Sequence, residues 1–436
     1  RGGRLAGAST YISGPSRGWV GSNLVDGRGR GRPSNTKRGQ TPSYATASAA
    51  PAARRYGRSM RHVPRLSPEL RVAALVLLIA TVAWAGLFAL RHQRAGDRFG
   101  ALQWEVASIA NKWLYAAGAP LRGDPPPDEA IASYFAATDR TDGTAARLEN
   151  AVEAAIEGRI DAVLREAGVR GRFSLPGPLA VWPPVDIELA GSPRILVTSP
   201  RDRIERLEST RLSPELTTEQ AVALEQATEA GDASLSSLVV ATGGIAFYPA
   251  IVSNRNRYAT TVETAAHEWV HHYMGFYPLG FGIPSGDRQV ISETVADLVG
   301  EEVAARVLDR FGDPTDDAAS ALTEANTPAT QRLRDLRIEV DALLAERRIE
   351  DAERRMEQVR LELEAEGVQI RRINQAFFAW TGTYAARADS TDPLGDQIRA
   401  LRASADSLAT FIELVRGATT REDIETLIAQ QAARTP

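Results

Sequence analysis

Apolar positions recur with two different periods along this chain, and each period predicts its own kind of structure. Between residues 100 and 170 they recur every three or four positions, a spacing that places them on one face of a helix. From about residue 172 the helical spacing gives way to short β-prone runs, which predict a small sheet. The Gly243-Gly244 pair marks a bend or bulge in this sheet. The β-prone runs that predict its strands are residues 179–189, 194–199 and 236–252.

From Thr261 onward the pattern is helical almost to the end of the chain. Residues 332–345 and 349–366 predict a helical hairpin that ends at Gly367, a residue suited to the position after a helix. Two further helices are predicted over residues 396–415 and 421–431. We therefore expect an α+β, predominantly helical fold with a small sheet and a C-terminal helical lobe.

One run of nineteen residues, 72–90, carries no charge and is about long enough for a single bilayer-spanning helix. A cleaved signal peptide is the alternative. The run is longer than the usual apolar region of about 7–15 residues, and no small-residue cleavage site follows it before Arg91. Arginines are denser before the run than after it, which predicts a cytoplasmic N-terminus. We expect a single-pass anchor in the cell membrane, with the chain after residue 95 outside the cytoplasm.

The charge of the chain is unevenly distributed. Residues 1–71 hold fourteen of the 51 Lys and Arg residues but two of the 55 acids, so the rest of the chain is acidic. An acidic body argues against nucleic-acid binding. Residues 1–59 are rich in Gly, Ser, Pro, Ala and Arg without apolar periodicity, which predicts disorder. The first methionine is Met60, so whether residues 1–59 belong to the natural product stays open.

Composition also limits the chemistry. With no cysteine, a thiolate nucleophile and a Cys-ligated metal site are excluded. The predicted organisation is a disordered basic extension (1–59), a membrane anchor (60–95), a helical segment (96–170), a small sheet with an edge strand (171–262), two helices that hold the motifs described next (263–312) and a C-terminal helical lobe (313–436).

The most informative stretch is TVETAAHEWVHHYMGFYPLG, residues 261–280, which contains the motif HExxH. On a helix, His267 and His271 share a face and can direct two imidazoles to one metal ion. Glu268 is rotated toward the same cleft, where it can reach a water on the metal. The alternative is a helix with two buried, hydrogen-bonded histidines. His272 lies about 100° around the helix from His271, and we expect it to serve packing.

A catalytic zinc ion usually takes a third protein ligand. Residues 291–302 (ISETVADLVGEE) supply Glu293, far enough beyond His271 for a second helix to return across the first. Asp297 lies one turn further along the same face and can accept a hydrogen bond from a ligand imidazole. Glu301 and Glu302 are rival ligands, but neither is followed by an acid at the next turn. Glu263, one turn before His267, is a weaker candidate for such an imidazole contact.

HExxH followed about twenty residues later by ExxxD resembles the gluzincin branch of the zincin metallopeptidases, the thermolysin-like group. The resemblance implies a zincin-like domain in which His267, His271 and Glu293 bind Zn²⁺. It also implies that Glu268 is the general base and that Asp297 supports a histidine. The metzincin pattern fails at positions 274 and 277, and an intramembrane protease is excluded because the motif lies outside the predicted span.

Residues 371–388 (RRINQAFFAWTGTYAARA) resemble a segment of a bacterial aminopeptidase family in the same superfamily, at Asn374 and Tyr384. The resemblance implies that Asn374 contacts substrate. A phenol such as Tyr384 can stabilise the oxyanion that peptide hydrolysis creates. Thermolysin-like enzymes often use a late histidine there, and no histidine follows His272. The HEWxHHY motif also resembles uncharacterised single-span bacterial membrane proteins.

Just before the motif, residues 243–248 are the expected edge strand along which a peptide substrate would lie, with Gly244, Ile245 and Ala246 binding it. The alternative is an internal strand of the core sheet. The function expected is a membrane-anchored zinc peptidase acting on peptides or proteins. The alternative is an inactive, membrane-tethered scaffold of zincin fold whose helices after residue 313 bind a partner. The sequence leaves three questions open: the identity of the substrate, whether cleavage is endo- or exopeptidic, and the oligomeric state.

Overall fold

The computed structural model describes residues 98–118, 126–169, 181–207, 209–315 and 327–434. The extension predicted to be disordered (1–59) and the predicted span (72–90) lie outside the described residues. Within the described part of the chain, every helix is too short or too polar to cross a bilayer. The prediction of an α+β, mostly helical chain with small sheets is confirmed.

The elements follow one another in the predicted order of helices, strands and helices, except that a helix over Thr218–Gly231, which the sequence pattern did not predict, lies among the strands. The helices are α1 (Ala101–Gly118), α2 (Pro127–Phe135), α3 (Gly143–Glu166), α4 (Thr218–Gly231), α5 (Tyr258–Met274), α6 (Asp287–Phe311), α7 (Pro328–Ala345), α8 (Ile349–Ala365), α9 (Gln375–Thr381), α10 (Leu394–Ser404), α11 (Leu408–Val415) and α12 (Arg421–Arg434). The strands are β1 (Ile187–Ala190), β2 (Arg194–Pro200), β3 (Ser209–Leu212), β4 (Leu235–Ala241), β5 (Gly244–Ile245) and β6 (Ala250–Ser253).

The strands form two three-stranded sheets rather than the single small sheet expected. One sheet has the order β3-β2-β4 and is antiparallel throughout. The other has the order β1-β6-β5, with β1 parallel and β5 antiparallel to β6. The chain leaves the first sheet at Ala241 and enters the second at Gly244. The glycine pair predicted to bend the chain therefore marks the passage from one sheet to the other.

Paired glutamates on a helix cover one edge of each sheet. Glu153 and Glu157, one turn apart on α3, accept hydrogen bonds from the backbone N–H groups of Leu189 (2.7 Å) and Ile187 (2.9 Å) on β1. Lys112 lies 3.2 Å from Glu153 and 2.7 Å from Glu157 and balances their charge. An edge strand otherwise exposes unpaired backbone groups, so these side chains complete the sheet.

The same device recurs on the other sheet. Glu225 and Glu229 of α4 accept from the N–H groups of Val239 (2.6 Å) and Ser237 (2.9 Å) on β4. Arginines 371 and 372 pair with these carboxylates, which fastens the segment before α9 to the sheet.

Two hydrophobic cores organise the C-terminal helices. Helices α10–α12 share one core with α2, α3, α5 and α6, whereas the α7–α8 hairpin has a core of its own. The hairpin was predicted correctly, and Gly367 takes a left-handed φ of 88° after it. The single helix expected over residues 396–415 is two helices, because the chain turns at residues 405–407 and the Ser407 hydroxyl caps α11 by accepting from the Thr410 N–H.

Candidate metal centre

Helices α5 and α6 approach each other closely beside the first motif histidine. A β-carbon placed on Gly300 of α6 would lie 3.0 Å from the Glu263 carbonyl oxygen and 3.2 Å from His267 Cβ. A larger residue at this position would push the helices apart. Glycine thus permits the spacing at which the acids of α6 reach the histidines of α5.

Three side-chain atoms from these helices form a nearly equilateral triangle. His267 Nε2 lies 3.1 Å from His271 Nε2 and 3.4 Å from Glu293 Oε2, and His271 Nε2 lies 3.5 Å from the same oxygen. A tetrahedral zinc ion with bonds of about 2.0–2.1 Å has ligands separated by about 3.3–3.4 Å. The triangle therefore has the size and the donor types that a zinc ion requires.

Each imidazole also has a partner for its other nitrogen. His267 Nδ1 lies 3.0 Å from Asp297 Oδ1, and His271 Nδ1 lies 3.4 Å from the Ser292 hydroxyl. Such contacts fix the orientation of a ligand imidazole. Burial lowers the pKa of His267, but the hydrogen bonds to Asp297 and Glu293 outweigh it and leave the pKa well above its usual value. Ser292 was not expected from the sequence.

Glu293 is held in its ionised form. Burial opposes ionisation of this carboxyl, but the neighbouring His271 and His267 outweigh burial and hold its pKa well below the usual range. Its side chain, like those of both histidines, is between 14 and 19 % exposed. An ionised carboxylate therefore stands beside both imidazoles, where it can serve as a charged ligand.

Glu268 is the most enclosed acid of the group, with 6 % exposure. Its carboxylate lies within 4.8 Å of ligand atoms of both histidines. Burial raises its pKa, against the opposing influence of His267 and His271. A carboxylate with a raised pKa beside a metal site is suited to accept and return a proton.

The segment expected to bind substrate lies at the end of a sheet. Gly244 and Ile245 form β5 and pair with β6 on one side, and β5 is the last strand in its sheet. Ala246, which follows, is exposed. His272 donates from Nε2 to the Phe247 carbonyl oxygen at 2.5 Å. The histidine assigned to packing therefore also ties this segment to α5.

Tyr384 lies in the loop after α9, and the next residue fixes that loop to α6. The Ala385 N–H donates to the Thr294 hydroxyl at 3.1 Å, one residue beyond Glu293. Burial and the negative charges of Glu293 and Asp297 raise the pKa of Tyr384 well above its usual value. The phenol is therefore protonated at neutral pH and electrostatically coupled to the motif acids.

The hydrogen bonds of Asn374 are to other parts of the fold. Its Oδ1 accepts from the Phe377 N–H at 2.9 Å and caps α9, while its Nδ2 donates to the Ser237 carbonyl at 2.9 Å. Neither partner belongs to the motif cluster. Asn374 thus holds α9 against β4, and the structure gives no contact between it and the site.

The remaining candidate acids on α5 and α6 are not part of the triangle. Glu302 forms ion pairs with Arg402 (2.6 Å) and Arg306 (2.6 Å) instead of contacting the histidines. Burial and the charge of Glu301 raise the pKa of Glu263 to about 8. The triangle of donor atoms includes none of these acids.

A second acidic group, formed by Glu149, Glu153 and Glu188, has carboxylate oxygens within 4.8 Å of one another. Glu153 serves the edge of β1 and pairs with Lys112. We therefore assign this group to the fold rather than to a metal.

Comparison of the chain with protein-family models, with curated proteins and with solved structures finds no match.

Proposed function

We propose that this chain is a membrane-anchored zinc peptidase of the gluzincin type, with a zincin-like arrangement of α5 and α6. The observation that carries the proposal is the triangle formed by His267 Nε2, His271 Nε2 and Glu293 Oε2, with edges of 3.1–3.5 Å. Asp297 and Ser292 would orient the two imidazoles, and Glu268 would stand beside the reacting centre. Two histidines serving packing alone would not require an ionised carboxylate 3.4–3.5 Å from both rings.

When bound, zinc would act as a Lewis acid toward the scissile carbonyl and lower the pKa of a water molecule toward about 7. Glu268 would accept a proton from this water and later donate it to the departing amine. A pKa above that of a free carboxyl strengthens Glu268 as the base in the first of these transfers. Tyr384, protonated at neutral pH, would donate its hydroxyl hydrogen to the developing oxyanion.

A peptide substrate would pair with the open side of β5. Backbone hydrogen bonds to an edge strand bind an extended peptide without regard to its side chains. Gly244 lies against α5: a β-carbon placed on Gly244 would stand 2.6 Å from Glu268 Oε1. A peptide on this edge would therefore pass close to the general base.

The test of this function is Glu268→Gln in the full-length chain. An amide has no lone pair basic enough to take the proton, so peptide hydrolysis should fall by about 10²–10⁴-fold while zinc content and melting temperature stay unchanged. Tyr384→Phe should cost about 10²–10³-fold. Cleavage of a peptide library identifies the substrate, and metal analysis checks the zinc. Wild-type rates in Glu268→Gln would refute the mechanism. A Gln variant that rescues a deletion phenotype, with no peptide ever cut, would favour the scaffold.

The location is proposed from the uncharged run at residues 72–90. A reporter fused after residue 436 should be active outside the cytoplasm only, and one placed before Met60 inside only. The opposite pattern would overturn both the location and an extracytoplasmic substrate.

A further inference from the structure

Arg206 lies in the loop between β2 and β3, outside every stretch that the sequence pattern singled out. Its guanidinium carbon lies 4.7 Å from the centroid of the Trp380 ring, and its Nε donates to the Ser209 hydroxyl at 3.2 Å. Cation–π contact and one hydrogen bond thus fix the plane of the guanidinium. Trp380 in turn packs against the β3-β2-β4 sheet, so the arginine rests on a rigid support.

The position of Arg206 connects it to the proposed site. The Trp380 ring contacts the Tyr384 ring edge to face, with centroids 5.8 Å apart. Burial lowers the pKa of Arg206, and Tyr384 and Glu293 oppose this effect. Arg206 is therefore close enough to the Glu293 carboxylate for its charge to act on the guanidinium, and it lies against the same Trp380 ring that contacts the phenol.

Among the residues that the structure describes, Arg206 differs from its neighbours in having no ion-pair partner. In the same loop, Arg201 pairs with Glu353 and Arg203 with Glu205, each at 2.7 Å. Within the described part of the chain, no carboxylate pairs with Arg206 and no residue accepts from its two Nη groups. A partly buried guanidinium is costly to leave unpaired. Two parallel Nη donors match the two oxygens of a carboxylate.

We propose that Arg206 binds a carboxylate of the peptide substrate beside Tyr384, which makes it a specificity-determining residue. The inference rests on the proposed peptidase function and narrows it to substrates carrying a carboxylate near the scissile bond. That carboxylate is either the C-terminus of the peptide or an Asp or Glu side chain. Both present the same pair of oxygens to the guanidinium.

The experiment measures binding without cleavage, by calorimetry, in the full-length, zinc-loaded Glu268→Gln variant. Four N-acetylated peptides are compared: with a free or an amidated C-terminus, and with an internal Glu or Gln. Loss of a charge-assisted pair should weaken binding by about 10–100-fold. If amidation lowers the affinity, the bound carboxylate is the C-terminus of the peptide. If the peptide with Gln binds more weakly than the peptide with Glu, the bound carboxylate is the side chain. Adding Arg206→Gln should remove the preference, and Arg206→Lys should retain part of it because the charge remains.

Arg203→Gln is the matched control, because it removes the same charge from an exposed position three residues away. It should leave the preference intact. The proposal would be overturned by any of three results: equal affinity for all four peptides, no binding of any peptide, or a loss of affinity in Arg206→Gln that is the same for every peptide. A chain that prefers the carboxylate through Arg206 but cuts no peptide when Glu268 is intact would refute the peptidase function alone.

Discussion

Gly244 lies against the carboxylate of Glu268, and no larger residue fits between β5 and α5 without displacing a neighbour. A β-carbon at residue 244 would stand 2.6 Å from Glu268 Oε1, 2.7 Å from Thr264 Cγ2 and 2.8 Å from the Ile251 carbonyl oxygen. Two of these neighbours are rigidly placed, by α5 and by β6. The carboxylate of Glu268 is the group most free to move.

Gly244→Ala should therefore displace Glu268 and lower kcat for peptide hydrolysis at least tenfold, while zinc content is retained. Overpacking of this kind also costs about 1–3 kcal/mol of stability. Gly243→Ala is the matched control, because its added β-carbon would meet nothing closer than Thr264 Oγ1 at 3.6 Å. Steady-state kinetics and thermal melts of both variants decide the matter. Equal kcat values for the two would show that Glu268 is not confined by the strand.

The local part of the site is predictable from sequence, whereas its long-range contacts are not. The period of the α-helix is enough to place His267 and His271 on one face and Asp297 one turn beyond Glu293. Gly244 was expected to touch substrate, but its contact with Glu268 joins residues in different elements. The hydroxyl of Ser292 lies against His271 Nδ1, and the guanidinium of Arg206 lies against Trp380, through packing that no local spacing encodes.

The fold shows the same division. The helical hairpin followed from periodicity, and Gly367 from the chemistry of helix ends. The separation of the strands into two sheets depends on which strands pair, and short strands carry too little pattern to decide pairing. Ser407 could have been recognised as an N-cap, since serine before an apolar run is a typical signal for a helix start.

Zinc binding should depend on three side chains equally and on a fourth to a smaller degree. His267→Ala, His271→Ala and Glu293→Ala should each abolish stoichiometric zinc, and chelation should abolish hydrolysis in the wild-type chain. Asp297→Ala should weaken zinc binding by about 10–100-fold, because it removes the acceptor for His267 Nδ1. Metal analysis after dialysis measures all four.

Glu302→Gln is the control on the same helix, since Glu302 is engaged with Arg402 and Arg306. Its zinc content should equal that of the wild type. Full zinc occupancy in Glu293→Ala would move the third ligand elsewhere.

His272 should position the edge strand rather than act on substrate. In His272→Phe the ring remains but the Phe247 carbonyl loses its donor, a loss worth about 1–3 kcal/mol for a buried group. Amide exchange of residues 243–248 should accelerate and KM for peptides should rise, with zinc content unchanged. His272→Gln keeps a donor and should restore part of the effect. Unchanged exchange in His272→Phe would refute this role.

The stability of the fold should fall between about pH 4.5 and 7 through Glu149 on α3. Burial, and then the charge of Glu188 on β1, raise the pKa of Glu149 from 4.5 to about 7, while Lys112 on α1 opposes the rise. Tyr134 on α2 lies near the same carboxyl. The folded chain holds the Glu149 proton more tightly than the unfolded chain does. The stabilisation that comes from the protonated carboxyl is therefore complete below pH 4.5 and is lost as the pH rises through 7.

Glu149→Gln removes the titration and keeps the shape of the side chain. The melting temperature of the variant should match or lie slightly below that of the wild type at pH 4.5, where the native carboxyl is protonated. At pH 8 the variant should melt at a higher temperature, because the wild type then carries an extra buried charge beside Glu188. Glu129→Gln, at an exposed position of α2, is the control and should show no such trend with pH. If the difference in melting temperature between Glu149→Gln and the wild type stayed constant from pH 4.5 to 8, the pKa of Glu149 would be the same in the folded and unfolded chains.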